Sequence, residues 1–128
     1  MAESNVTFPS RGLKLAGTLY QPDTATDPTP GIVLCQGYTG TKEMFLPILA
    51  QAYAEAGCTS LIFDYGGWGE SEGERGRLFP LEQVEDIGNA LSFLGAQEGV
   101  DPNRLGLYGT SFGGANVVYV TALDARVK

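Results

Sequence analysis

The sequence predicts an α/β fold: a three-layer sandwich around a mostly parallel sheet, built from two N-terminal strands followed by three strand-helix units. Three observations predict it. Short runs that are apolar on both faces (Ile32–Gln36, Thr59–Asp64, Arg104–Tyr108) recur along the chain and have the character of buried parallel strands. Stretches with helical spacing follow each run. Glycine-rich segments sit at the end of each run, where open α/β sheets place their sites.

The elements follow in order. Asn5–Pro9 and Leu13–Tyr20 read as two strands joined by a turn at Ser10-Arg11-Gly12, and Leu13, Leu15, Gly17 and Leu19 alternate onto one face of the second. Gln21 to Pro30, rich in Pro, Asp and Thr, is a connecting loop. Ile32–Gln36 is the first buried strand. A helix from Pro47 to Ala56 has Pro in its first turn, Gly57 as C-cap, and a face of Ile48, Leu49, Ala52, Tyr53 and Ala56. Thr59–Asp64 is the next strand and Gly66–Arg77 a loop. The helix Leu81–Gln97 spaces Val84, Ile87, Leu91 and Leu94 by three and four. Asp101-Pro102 makes a turn before Arg104–Tyr108. The last helix, Phe112–Ala125, contains Val117-Val118-Tyr119-Val120. That run favours strand, but the preceding strand and glycine turn require an element that carries the chain back over the sheet.

The 128 residues suffice for one domain, and 43% hydrophobic content suffices for a packed core. The net charge of −7 argues against nucleic acid or an anionic membrane surface as partner. There is no secretory n-region and no apolar run of membrane-spanning length. Cys35 and Cys58 fall at opposite ends of neighbouring strands, too far apart for a disulfide, and read as buried thiols of a reducing, cytoplasmic compartment. The chain contains no His. That excludes a His metal ligand and any Ser-His or Cys-His pair made within these residues. No metal or cofactor is expected.

Gly109-Thr110-Ser111-Phe112-Gly113 matches G-x-S-x-G between a buried strand and a helix, the context in which a serine hydroxyl is held above a sheet on a strained turn. The first helical amide, Phe112 N–H, is placed to donate to a developing oxyanion. Gln36-Gly37-Tyr38-Thr39-Gly40 follows the first parallel strand, where Tyr38 N–H is the expected second donor and Gly37 permits close backbone approach. The simpler readings are a capping serine and a glycine turn. Neither the phosphate-loop nor the dinucleotide spacing is present. Asp64 ends a strand and is expected to hold its loop by accepting amide hydrogen bonds. Tyr38, Tyr65 and Trp68, in loops at the carboxyl edge of the sheet, are expected to line a substrate pocket.

Ile32–Gly40, Ser60–Gly73 and above all Val100–Gly114 resemble the α/β-hydrolase superfamily, in its bacterial esterase, dienelactone-hydrolase-like and X-Pro-peptidase-like branch. The resemblance implies a Ser-His-acid triad in that chain order, acting without a cofactor on ester, thioester or amide bonds. It makes Ser111 the nucleophile and the Phe112 and Tyr38 amides the oxyanion hole. Many relatives have His-Gly where this chain has Gln36-Gly37, a change that backbone donation survives. Many have Arg at the position of Gly66, an exchange expected to loosen that loop.

The resemblance places the acid and the His later than Lys128, so residues 1–128 are expected to form the N-terminal portion of a single hydrolase domain. The remainder is expected on another chain or segment, which supplies His, Asp or Glu and further strands. Without it, Arg104–Tyr108 would be an exposed apolar sheet edge and Ser111 a poor nucleophile. The expected partners are therefore a small ester-like substrate and this C-terminal portion; a homo-oligomer paired through the same edge is the other possibility. A non-catalytic binding or interaction module on the same fold is the alternative reading, and a nucleotide-binding domain a more remote one.

Overall fold

The computed structural model describes residues 1–23 and 27–128. Among them the elements are β1 (Ala2–Ser10), β2 (Leu13–Gln21), β3 (Thr29–Cys35), α1 (Leu46–Glu55), β4 (Thr59–Phe63), α2 (Pro80–Gly95), β5 (Val100–Gly109) and α3 (Phe112–Leu123). The expected loop Gln21–Pro30 lies partly outside the described residues, and its last two positions already belong to β3.

The sheet order is β1-β2-β4-β3-β5. The β1–β2 hairpin is antiparallel and joins β4 antiparallel, while β3 pairs in parallel with both β4 and β5. The sheet is thus mixed, with a parallel half that carries the strand-helix units. Arg11 and Gly12 both have positive φ (52° and 74°), which gives the two-residue hairpin turn the twist its strands need.

Helices cover both faces. Leu46, Ala50 and Ala54 of α1 pack on Tyr20, Leu34 and Ile62. On the opposite face Ile87, Ala90, Leu91 and Leu94 of α2 and Val120 of α3 pack on Phe8, Leu15, Val33, Leu61, Phe63 and Leu105. Each fully buried Leu, Phe or Val stabilises the fold by about 1.5–3 kcal/mol before chain entropy is counted.

From β3 the chain crosses to β4 over one face, then returns over the other face to β5, on the opposite side of β3. The winding direction reverses at the β3/β5 pair, and this opens a crevice beyond the carboxyl ends of those strands. The pair Cys35↔Gly109 brings the Gly37 loop and the Ser111 turn level with each other.

Three expectations are corrected. The buried face of α1 is Leu46, Ala50 and Ala54, while Ile48 is 73% exposed and Ala52 and Ala56 face solvent. Apolar residues surround this helix, so their spacing left its rotation open. The small Ala50 and Ala54 let it close on the sheet, where Ser60 donates a 2.7 Å hydrogen bond to the Ala50 carbonyl. β5 is buried only at Val100 and Leu105 and half-buried from Gly106 to Gly109, because its ladder partner β3 lies on one side. On the other side Val127 forms a parallel bridge to Leu105, and Lys128 N–H donates to the Leu105 carbonyl at 2.9 Å. Cys35 is buried but Cys58 is only half-buried; both thiols are free. The run Val117–Val120 is helical, as the topology required.

Candidate active site

The chain must turn from β5 into α3 within two residues. Ser111 absorbs the turn with φ 54° and ψ −122°, a conformation that costs a non-glycine residue on the order of 1–3 kcal/mol. The flanking glycines make it sterically feasible. A Cβ on Gly113 would lie 2.6 Å from the Cys35 carbonyl oxygen, and one on Gly109 2.6 Å from the Gly113 carbonyl carbon. Hydrogen bonds from Gly113 N–H to Thr110 O and from Gly114 N–H to Ser111 O, both 2.9 Å, close the turn. Ser111 is exposed, and its side chain makes no capping hydrogen bond to α3. It is therefore not an ordinary helix cap, and its hydroxyl stands over the crevice.

The β3 loop is pressed against this turn. A Cβ on Gly37 would lie 2.9 Å from Thr110 O, 3.0 Å from Ser111 Cβ and 3.6 Å from Phe112 N. Gly37 N–H is occupied by the Oε1 of Gln36 at 2.9 Å. The Tyr38 and Phe112 N–H groups are not consumed by the backbone hydrogen bonds of the two turns. The Gln36 amide nitrogen donates to the carbonyls of Thr41 (2.9 Å) and Met44 (2.7 Å). Gln36 thus braces the whole loop.

Behind the loop, Asp64 is 1% exposed. Its carboxylate accepts Lys42 N–H at 2.7 Å and Glu70 N–H at 3.0 Å, and the Lys42 ammonium lies 3.4 Å away while also bonding Glu70. Asp64 is a clamp between two loops, as expected. The hydrogen bond from Lys42, with its charge, holds the Glu70 carboxyl below its ordinary range, and the acidic neighbours push Lys42 up to about 12 against a desolvation cost.

Tyr65 and Trp68 do not line the crevice. Tyr65 is 2% exposed; its hydroxyl donates to the Gln36 carbonyl at 3.2 Å and accepts from Asn116 Nδ2 at 3.4 Å, and Asn116 also donates to Gln83 Oε1 at 2.9 Å. Trp68 packs on the core and donates its indole N–H to the Arg77 carbonyl at 2.9 Å. Both turn inward because the 66–77 segment folds back over the sheet edge. Nor is this segment loose at Gly66: its N–H donates to buried Asp86 at 3.0 Å, and the Arg11 guanidinium, itself paired with Asp86, occupies the space beside Gly66 that a side chain would need.

Of the three expected pocket residues Tyr38 does stand in the wall near Ser111, and the rest of that wall comes from residues that sequence reasoning passed over. A cleft of ≈ 520 Å³ runs from Ser111 and Gly37 along Tyr38, Met44, Phe45, Ile48, Leu49 and Tyr108. The only sequence signal for it was the density of large apolar residues in a loop and first helical turn. A second cavity of ≈ 490 Å³, between β1, β2 and the Lys42–Glu70 pair, does not include Ser111. Among the described residues no group of three or more His, Cys, Asp or Glu is placed to hold a metal, and no helix is long and apolar enough to cross a membrane.

The doubly covered sheet with a serine on its strained turn is the N-terminal portion of an α/β-hydrolase fold. The family described as "Serine aminopeptidase, S33" matches residues 26–127, and the chain belongs to it. A 31.7 kDa uncharacterized protein of the traX-finO intergenic region of Escherichia coli is 48% identical over 99 residues, which is 77% of this chain and 35% of that protein. The quorum-quenching protein AidA of Acinetobacter baumannii is 37% identical over 98% of this chain and 41% of its own length. Among solved structures, a hypothetical protein of Pseudomonas aeruginosa superposes with a TM-score of 0.95 at 34% identity, over 99% of this chain and 40% of that one. The chain therefore spans well under half the length of these relatives.

Proposed function

We propose that this chain carries the nucleophile and oxyanion hole of a serine hydrolase acting on ester, thioester or amide bonds. The observation that carries the proposal is Ser111 itself: an exposed, uncapped hydroxyl in a strained conformation at the head of α3, with the Gly37 loop against it. Ser111 Oγ attacks the substrate carbonyl carbon, and its proton passes to a base. The carbonyl oxygen, now an oxyanion, is met by the Phe112 and Tyr38 N–H groups. Collapse expels the alcohol, thiol or amine, which takes up the proton, and leaves an acyl group on Ser111. Water then releases the acid. Relatives named thiohydrolase and acyltransferase support acyl chemistry, with water or another acceptor in the second step.

An imidazole base cannot come from these 128 residues, which contain no His, and among the described residues no Lys, Asp or Glu lines the cleft at Ser111. A companion segment, as a second chain or a continuation, brings the imidazole and its acid to the crevice. Ser111→Ala is expected to lower p-nitrophenyl acetate hydrolysis by the assembled protein at least about 10⁴-fold with its melting temperature preserved. A folded variant that keeps its activity would remove Ser111 from the mechanism.

A further inference from the structure

The loop that carries Tyr38 holds a shape its own backbone does not favour. Thr39 has φ 58° and Phe45 φ 66°, the left-handed region, where a β-branched or bulky residue is an outlier. Each such residue costs on the order of 1–3 kcal/mol and persists only where its surroundings over-determine it. Gln36 supplies that determination from within the site. It is 8% exposed. Its Oε1 accepts Gly37 N–H at 2.9 Å, and its Nε2 donates to the Thr41 and Met44 carbonyls at 2.9 and 2.7 Å. The amide oxygen and both amide hydrogens are thus engaged. The two carbonyls lie at the ends of a turn that Met44 N–H closes on Thr41 O at 3.1 Å. Gly40 makes room for the side chain: a Cβ there would overlap Gln36 Cγ and lie 2.6 Å from Cδ. The main chain of Gln36 meets the other half of the site, since a Cβ on Gly113 would overlap its carbonyl oxygen.

We propose that Gln36 is a positioning residue of the oxyanion hole. Its side-chain amide fixes the direction of the Tyr38 N–H and, by holding Gly37 N–H, keeps that neighbouring donor off the oxyanion. The inference rests on the proposed role of Ser111. Gln36 acts through the loop backbone, with no contact to the reacting atoms. Release of Gly37 N–H and of the Thr41 and Met44 carbonyls lets Thr39 and Phe45 leave the left-handed region, and the Tyr38 peptide turns with them. A donor stabilises developing charge because it is aimed before the charge appears. Loss of aim therefore falls on the transition state and leaves substrate binding in place.

The test uses the assembled protein. Gln36→Met keeps the length of the side chain and removes all three hydrogen bonds. Its kcat for p-nitrophenyl acetate is expected to fall at least about 10-fold, with KM within about 2-fold of the parent value. The second readout is a trifluoromethyl ketone, to whose carbonyl carbon Ser111 Oγ adds, its proton passing to the base, to leave a tetrahedral oxyanion. Its affinity is expected to fall by the same factor as kcat. Gln36→Glu keeps the acceptor for Gly37 N–H but turns a carboxylate on two carbonyls, and is expected to lose at least as much. Gly40→Ala displaces the amide without deleting it. It is expected to weaken the ketone in the parent protein and to add little to Gln36→Ala, which lacks the Cγ and Cδ that the new methyl would strike.

A lower melting temperature with kcat and ketone affinity intact, an effect confined to KM, or additive losses in the Gly40→Ala and Gln36→Ala pair would overturn the assignment. Where a Gln36 variant does not fold, the ketone affinity of Gly40→Ala reads the same coupling, and an unchanged value overturns it. Phosphonylation of the parent protein by a fluorophosphonate separates the two levels. If Ser111 reacts and the Gln36 variants keep their kcat, the positioning role falls and the nucleophile stands; if the folded parent does not react, both fall.

Discussion

At the residue scale the site depends on atoms that are not there. Gly113 lets the first turn of α3 rest on the carbonyls of Cys35 and Gln36, and this contact sets the distance between the Ser111 turn and the Gly37 loop. Gly113→Ala is expected to push the two apart, slowing Ser111 phosphonylation at least about 10-fold, since sub-ångström displacement is costly in a preorganised site; an unchanged rate would show that the contact has slack. Lys42 illustrates the opposite case, a charge that must be present. Lys42→Met leaves Asp64 buried with only its two amide donors, and denaturant unfolding is expected to show a loss of roughly 3 kcal/mol. The serine and its glycines were legible in the sequence because the motif is local: five residues fix the sterics of one turn. Tyr65 and Trp68 were not, because the direction of a side chain beyond a strand end is decided by distant partners, here the Gln36 carbonyl, Asn116 and Arg77.

At the scale of elements, a buried hydrogen-bond chain joins α2, α3, the end of β4 and the end of β3 through Gln83, Asn116, Tyr65 and the Gln36 carbonyl. It ties the helix that Ser111 heads to the residue preceding Gly37 and Tyr38, so under the proposed mechanism Tyr65 and Asn116 are positioning residues. Tyr65→Phe removes one hydroxyl from this chain, at a cost of about 1–3 kcal/mol, and is expected to lower kcat several-fold with little change in KM. A drop in melting temperature with unaltered kcat would reduce the pair to a structural role. Most elements were readable in advance because strand and helix periods differ and glycines punctuate them. The rotation of α1 was not, since Gln51 and Glu55 are the only polar residues among its ten and leave several apolar faces to choose from. The helicity of Val117–Val120 was read from topology against local preference, which shows tertiary context overriding propensity.

At the scale of the molecule, several carboxyls are held below their ordinary range. Hydrogen bonds hold each down: Lys42 on Glu70, Arg77 on Glu82, the Asn103 amide and Arg104 on Asp101, and Arg126 on Asp124. Their folded-state affinity for protons is lower than in the unfolded chain, so acid favours unfolding. The melting temperature is expected to be flat from pH 8 to about 5 and to fall below about pH 4.5; a rise in that range would contradict these pairings. In the proposed assembly the companion segment packs on the β5 edge, where Val127 is bridged to Leu105, and on the exposed Val118 and Leu123 of α3 (both 71% exposed). The most direct test of the central claim is fluorophosphonate labelling, mapped by mass spectrometry, of this chain with and without the companion segment. The account predicts a single adduct on Ser111, formed at least about 100-fold faster when the imidazole-bearing segment is present. Equal rates in its absence, or an adduct at another residue, would contradict it.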